Sequence, residues 1–330
     1  MPKILVTGGA GYIGSITTHH LLRDGFEVVV VDDLSRGHRD NIGPQRLPPD
    51  CFHHARLQDT AAVKKALAGV DAVVHFAAYI AVGESVRKPE LYYANNFGGT
   101  ISLLEAMADA GVSKIVFSST AAVYGNPEHV PIPESAPFAP VSPYGETKAM
   151  VERILESLDH YHAINGSEFR YVTLRYFNAC GAEPDAELGE RHEPETHLIP
   201  LLFHAAATGR PIHIFGDDYA TPDGTCIRDY IHVSDLAAAH IAALRHLLAG
   251  GSSHAFNVGT GRGYTVMEVL QATQEIIGMK VPYEMAPRRD GDAAELVADA
   301  AKLRETLHWR PERSHLHDIL RDAWRYFRQH

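Results

Sequence analysis

Short apolar runs closed by glycine-rich or polar turns alternate along this chain with longer stretches whose apolar positions recur every three or four residues. Ile4-Leu5-Val6 and residues 27–31, 72–76, 114–117 and 171–177 read as buried strands. The segments between them, ending near Leu22 or spanning 60–67, about 89–110 and 143–164, carry helical periodicity. Strand and helix alternating in this way predict an α/β fold, a Rossmann-type doubly wound parallel sheet. Residues 37–50 and Val82-Gly83-Glu84-Ser85 read as loops. The character changes after Cys180, where 182–200 is polar, acidic and without a period. Short strands at 213–216 and 228–233, a helix over 234–248, a strand at 256–259 and a mixed tail with a loop at 287–292 follow. The expected division is therefore a first domain over 1–178, with about 227–262 returning to it. A smaller, mixed α/β second domain takes the rest of 179–330.

Composition narrows the function classes. At 330 residues the chain is long enough for one large or two moderate cores, and no segment is apolar enough to span a bilayer. The N-terminus runs directly into a strand without a signal-peptide layout, so a cytoplasmic protein is expected. A formal charge of -11 argues against a general nucleic-acid surface, so an anionic ligand needs locally placed arginines. Cys51, Cys180 and Cys226 match no disulfide or zinc spacing and read as reduced thiols. The 21 histidines show neither His-Glu-x-x-His spacing nor a neighbouring cysteine pair, so no metal is expected.

The first strand runs into Thr7-Gly8-Gly9-Ala10-Gly11-Tyr12-Ile13-Gly14 and then a helix. This order suits a dinucleotide: Gly8 permits the turn, Gly11 lets backbone approach a pyrophosphate, and Gly14 lets helix and strand pack closely. The helix N-terminus offers its N–H groups to the phosphates. Asp32 ends the second strand about 20 residues on, where a carboxylate can hold ribose hydroxyls and repel a 2′-phosphate. NAD is favoured over NADP, although Arg36 and Arg39 stand nearby as cations. Ala77 and Ala78, after Phe76, would let a cofactor lie across the end of another strand, where His75 reads as a packed strand-end residue.

Ser142-Pro143-Tyr144-Gly145-Glu146-Thr147-Lys148 begins a helix: Ser142 is a good N-cap and Pro143 suits the first helical position. Tyr144 and Lys148 fall four apart on one face. A tyrosine has a pKa of about 10, and a fixed ammonium beside it favours the phenolate. For a lone Tyr-x-x-x-Lys an exposed surface pair is the better reading; the dinucleotide signature reverses that preference. The 114–117 strand delivers Ser118 and Thr120 to the carboxyl edge of the sheet, where ligands of open α/β folds bind. Thr120 can meet a substrate hydroxyl, or only satisfy local backbone.

Together with His75-Phe76-Ala77-Ala78, Val82-Gly83-Glu84-Ser85, Arg175-Tyr176-Phe177-Asn178, Arg228-Asp229-Tyr230-Ile231-His232-Val233 and Ala286-Pro287-Arg288-Arg289, these motifs resemble the extended short-chain dehydrogenase/reductase family. The resemblance runs nearly end to end, and the later motifs match the uridine-nucleotide half of its UDP-sugar epimerases. It implies interconversion of UDP-galactose and UDP-glucose through a 4-keto sugar, with tightly bound NAD. Tyr144 would move the proton of the 4-hydroxyl, Lys148 would hold the nicotinamide ribose, and Thr120 would complete the hydroxyl contacts. NAD would be held by Gly8, Gly11, Tyr12, Ile13, Gly14 and Asp32, with Phe76, Ala77, Ala78, Asn95, Ser118, Tyr144, Lys148 and Phe177. Substrate contacts would come from Thr120, Tyr144, Asn178, His197, Leu198, Phe215, Arg228, Arg289 and Asp292. The resemblance also implies a homodimer through the helices of Asn95-Asn96 and Tyr144.

Arg56-Leu57, Ile80 and His197 depart from the commoner family residues, and Leu296 stands where side-chain size governs room for an N-acetyl group. Other UDP-sugars, UDP-N-acetylhexosamines or UDP-pentoses, therefore remain the alternative substrates. A dehydratase would need an acid and base where this chain has Ala121 and Ala122, which transfer no proton. A catalytically dead NAD-binding regulator is the rival from another class.

Overall fold

The strand Lys3–Thr7 pairs in parallel with Glu27–Asp32 on one side and Ala72–His75 on the other. These are the central members of a seven-stranded sheet in the order His254–Val258, Arg170–Tyr176, Lys114–Thr120, Ala72–His75, Lys3–Thr7, Glu27–Asp32, Phe52–His54. Strand order reverses between Lys3–Thr7 and Ala72–His75, the switch point where open α/β sheets open a crevice at their carboxyl edge. The computed structural model describes residues 1–43, 46–289 and 291–330; Pro44, Gln45 and Asp290, which fall in two of the expected loops, lie outside the described residues.

The central strands are buried on both faces, as Ile4, Leu5 and Val6, all fully buried, illustrate. On one face Leu5, Val29, Val73, Ile115 and Phe117 pack with Val63, Leu103, Met107, Val151 and Leu155. Fully burying one such side chain stabilises by about 1.5–3 kcal/mol, so this layer fixes where the strand ends lie.

The chain divides into two units: Met1–Val123, Pro140–Arg175 and Ala237–Phe256 form the first, and Tyr124–Ala139, Tyr176–Leu236 and Asn257–His330 the second. The second unit has its own mixed sheet. Ile227–His232 pairs antiparallel with Gly263–Thr265 and in parallel with Glu295–Leu296 and Asn178–Cys180, while Ile212–Phe215 pairs with Tyr283–Ala286. The helices Leu198–Thr208, Val266–Ile277 and Leu316–Phe327 supply a core around Leu202, Phe203, Val269, Leu270, Ile319 and Leu320.

Two features of this division differ from the expectation drawn from sequence. Ile227–His232 hydrogen-bonds within the second unit, and the part returning to the first is Ala237–Phe256. Residues 124–139 also join the second unit, because their polar groups find partners there. Ile132 donates its N–H to Val297 O at 2.8 Å and accepts from Asp299 N at 2.9 Å; Tyr124 donates its hydroxyl to Asn257 Oδ1 at 2.7 Å.

Two local readings are corrected as well. Val82–Arg87 is a short helix rather than a loop, tightened by Ser85 N–H donating to Ala81 O and ended at Lys88, just before Pro89. The helical stretch from Pro89 to Ala110 is interrupted by a π-helical turn, Tyr93–Gly98. Asn96 is buried in that turn. Its side chain accepts from Tyr79 N at 2.8 Å and donates to Tyr79 O at 3.0 Å and to Thr147 Oγ1 at 3.3 Å.

Candidate functional site

The helix Pro143–Ile164 begins as its sequence suggests: Ser142 accepts the Gly145 N–H at 3.2 Å, and Pro143 occupies the first turn. Tyr144 and Lys148 are both buried, at 7% and 4% exposure, which removes the surface-pair reading. The Lys148 ammonium donates to Ser118 O at 2.7 Å and lies 4.8 Å from the centre of the Phe117 ring. Burial pulls its pKa down to about 7, with the Glu152 carboxylate opposing the shift. Thr120, at the end of its strand, accepts Ala122 N–H at 3.1 Å, which leaves its own O–H to donate.

The carboxylate that tunes Lys148 lies four residues further along the same helix. Glu152 accepts from Ser119 Oγ at 2.5 Å and from Arg175 Nε at 3.1 and 3.0 Å and Nη2 at 2.7 Å. The sequence gives no sign of a role for Glu152, and it marks Asn96 only as one of the Asn95-Asn96 pair. The spacing Tyr144, Lys148, Glu152 marked the glutamate's face, but its arginine partner is far away in sequence.

The glycine turn of the same unit is built around close backbone approach. At Gly8, φ is +71° and a Cβ would lie 2.6 Å from Ala77 N; at Gly14 a Cβ would lie 2.1 Å from Gly8 O. The helix Tyr12–Arg23 that follows has no side-chain cap at its N-terminus. Asp32 is buried. Its Oδ2 accepts Ala10 N–H at 2.9 Å and its Oδ1 accepts Leu34 N–H at 2.8 Å, so each oxygen keeps a lone pair for a hydroxyl. Burial raises its pKa and the two backbone N–H groups oppose the rise. Arg36 is engaged with Glu84 at 2.7 Å, and the Arg39 guanidinium donates to Ile42 O and lies over Phe52. Cations committed in this way do not make a 2′-phosphate pocket. The uncapped helix, the glycine cradle and the acid at the strand end fit a dinucleotide carrying free ribose hydroxyls.

Phe76 and His240 rings lie 4.6 Å apart, Ala77 and Ala78 are half-buried, and Asn95 donates to Asn96 Oδ1 at 3.0 Å. Tyr12 is buried and Ile13 half-buried in the first helical turn. His75 is the packed residue anticipated, held between Thr7 Oγ1 at 2.6 Å and Thr100 Oγ1 at 2.8 Å. Burial, then the Lys148 charge, lowers its pKa to about 3.

The remaining sequence-derived site residues fall in the second unit. Phe177 is buried, and Asn178 opens a strand paired with Ile227–His232. Arg228 donates to Ile227 O and Ala293 O at 2.8 and 2.9 Å and lies 3.7 Å from Asp292 Oδ1. The Arg289 guanidinium covers the Phe215 ring at 4.0 Å. His197 is the N-cap residue of Leu198–Thr208 without closing that cap by its side chain. Its Nδ1 contacts Glu190 directly, leaving Nε2 as the ring atom that can face a ligand. Burial alone would discharge His197, but the Glu190 carboxylate outweighs it and raises the pKa to about 9.

Among characterised relatives, the UDP-glucose 4-epimerase of Lactobacillus helveticus is 46% identical over 331 residues, spanning 99% of this chain and 98% of its own. The structure of UDP-glucose 4-epimerase from Brucella ovis in complex with NAD superposes with a TM-score of 0.92 at 44% identity, over 99% of this chain and 98% of that one. A UDP-glucose 4-epimerase structure from Stenotrophomonas maltophila, with bound NAD and formylated UDP-arabinopyranose, has a TM-score of 0.94 at 41% identity, over 100% and 98% of the two chains. With a family model matching residues 4–259, the chain belongs to the NAD dependent epimerase/dehydratase family.

Proposed function

We propose that this chain interconverts UDP-galactose and UDP-glucose, retaining NAD throughout. The observation that carries the reading is the buried Tyr144 and Lys148 pair on one helix of a doubly wound unit whose glycine turn fits a dinucleotide. Bound NAD would supply a hydride acceptor and donor at sugar C4, with no net oxidation. Tyr144 would take the proton of the 4-hydroxyl and later return it, and Thr120 would donate to the same oxygen. The charged form of Lys148 would favour the Tyr144 phenolate. The 4-keto sugar must then present its other face, so the sugar has to be held more loosely than the nucleotide.

Gly8, Gly11, Gly14 and Asp32 would hold NAD, joined by Phe76, Ala77, Ala78, Asn95, Ser118 and Phe177. Arg228 and Arg289 would neutralise the diphosphate through charge-assisted hydrogen bonds. The N-terminus of Leu198–Thr208, with His197, Leu198 and Asn178, would add backbone and side-chain donors. Asp292 would hold the uridine ribose and Phe215 would pack at the uracil. A homodimer through the Asn95-Asn96 and Tyr144 helices is proposed in addition, supported by the exposed apolar side chains of Tyr93 and Ile164 on them. A cytoplasmic location is proposed, and no helix among the described residues is long and apolar enough to cross a membrane.

The test is product formation from UDP-galactose by purified protein without added NAD. UDP-glucose should appear, and Tyr144→Phe should abolish it; no turnover even with NAD supplied would sink the reading and favour an NAD-binding regulator. UDP-N-acetylgalactosamine and UDP-xylose run in parallel set the breadth. The relative crystallised with a UDP-pentose derivative makes the pentose arm the stronger alternative.

A further inference from the structure

Eight residues before the helix Leu198–Thr208 carry a cluster that the proposed reaction does not use as a unit. Glu190, His192, Glu195 and His197 each bring one ligand atom to a group whose members all lie within 4.8 Å of one another. The His192 Nδ1 is 3.2 Å from Glu190 Oε1 and 4.0 Å from Glu195 Oε2. The His197 Nδ1 is 3.8 Å from Glu195 Oε1 and in direct contact with Glu190 Oε1. Four donors about 2.0–2.2 Å from a tetrahedral ion stand about 3.3–3.6 Å from one another. The observed separations run from the direct His197–Glu190 contact up to 4.8 Å, on both sides of that spacing, so small side-chain rotations bring the four donors to it.

The carboxylates are removed from bulk solvent, with side-chain exposures of 6% for Glu190 and 10% for Glu195. Glu195 is further fixed by accepting the N–H groups of Thr196 at 2.6 Å and His197 at 2.8 Å. We propose that Glu190, His192, Glu195 and His197 form a binding site for one divalent transition ion of the zinc class. Two imidazole nitrogens and two carboxylates suit a four-coordinate borderline ion, whereas Ca2+ and Mg2+ require six or more oxygen donors. The two carboxylate charges balance the ion. Binding replaces the His197–Glu190 contact. The spacing Glu-x-His-x-x-Glu-x-His differs from the commoner metal patterns, which is why the sequence alone suggested no metal.

The site shares His197 with the proposed substrate contacts, so its test reads metal binding and not turnover. The full chain, stripped with a chelator, is titrated with Zn2+ against a chromophoric competitor, alongside His192→Ala and Glu195→Gln. His213→Ala serves as the control, since His213 stands 3.9 Å from a glutamate elsewhere in the second unit. One tight equivalent per chain is expected, weakened at least about tenfold in the two variants and unchanged in the control. Absence of a stoichiometric site, or equal affinity in all folded variants, would overturn the proposal. Should the variants not fold, Co2+ bound to the unaltered chain decides the matter. Intense tetrahedral visible absorption supports the site, and a weak octahedral spectrum or none removes it.

Discussion

Replacing Glu152 tests the buried pair that sets the electrostatics around Lys148. The Arg175 and Glu152 side chains are only 7% and 5% exposed and share three hydrogen bonds, with Ser119 donating a fourth to the carboxylate. Glu152→Met leaves the guanidinium buried without its anion, a change that costs about 3–5 kcal/mol. Arg175→Met should cost a similar amount by stranding the carboxylate. The double variant should cost less than the sum by about 1–3 kcal/mol, because no unpaired charge remains. Urea unfolding followed by far-UV circular dichroism is the assay. Trp309 and Trp324 both lie in the second unit, so their fluorescence does not report this site directly. A functional consequence accompanies the loss: without the Glu152 carboxylate opposing it, the pKa of Lys148 falls further below about 7. In Glu152→Gln the alkaline limb of the activity profile should therefore move to lower pH. A single-variant cost within about 1 kcal/mol, or strict additivity in the double variant, would refute the reading of Arg175 and Glu152 as a coupled buried pair.

Gly14→Ala should remove copurifying NAD and lower the unfolding midpoint, because its Cβ would be placed 2.1 Å from Gly8 O; cofactor release and thermal unfolding check this together. His75 makes acid the weak side of the first unit. Its folded pKa of about 3 lies below the ordinary value of 6.5, so the unfolded chain binds the extra proton between those values. The stability it confers is complete above pH 6.5 and is lost as pH falls through that window, with a slope of up to about 1.4 kcal/mol per pH unit. Urea titrations at several pH values should show this slope in the unaltered chain and a shallower one in His75→Gln.

What sequence conveyed and what it hid separate by range. The strand–glycine–helix turn, the acid at Asp32 and the capped Tyr144 helix are local patterns, and each appears where its residues imply. Alternating strands and helices implied the doubly wound sheet, while the order of its strands comes from the structure. Residues 124–139 gave no such signal, because their place in the second unit depends on hydrogen bonds to Asn257, Val297 and Asp299. Glu152 was half visible: its helical spacing from Lys148 was on view, but Ser119 and Arg175 come to it only through the sheet. Val82–Arg87 contains a glycine and two valines, poor helix formers, so its helical form has no local signal. The Asn95-Asn96 pair was noticed, but the π turn that aims Asn96 at Tyr79 and Thr147 has no sequence period of its own.

The central claim is that hydrogen leaves and returns to the same sugar carbon without meeting water. UDP-galactose carrying deuterium at C4 is converted by the purified chain in ordinary water with no added NAD, and the product is read by NMR. The account predicts UDP-glucose with the label retained at C4, since a hydride held on bound cofactor does not exchange with solvent. Loss of the label to water would contradict it, because the stereocentre would then be inverting by proton exchange rather than by hydride return.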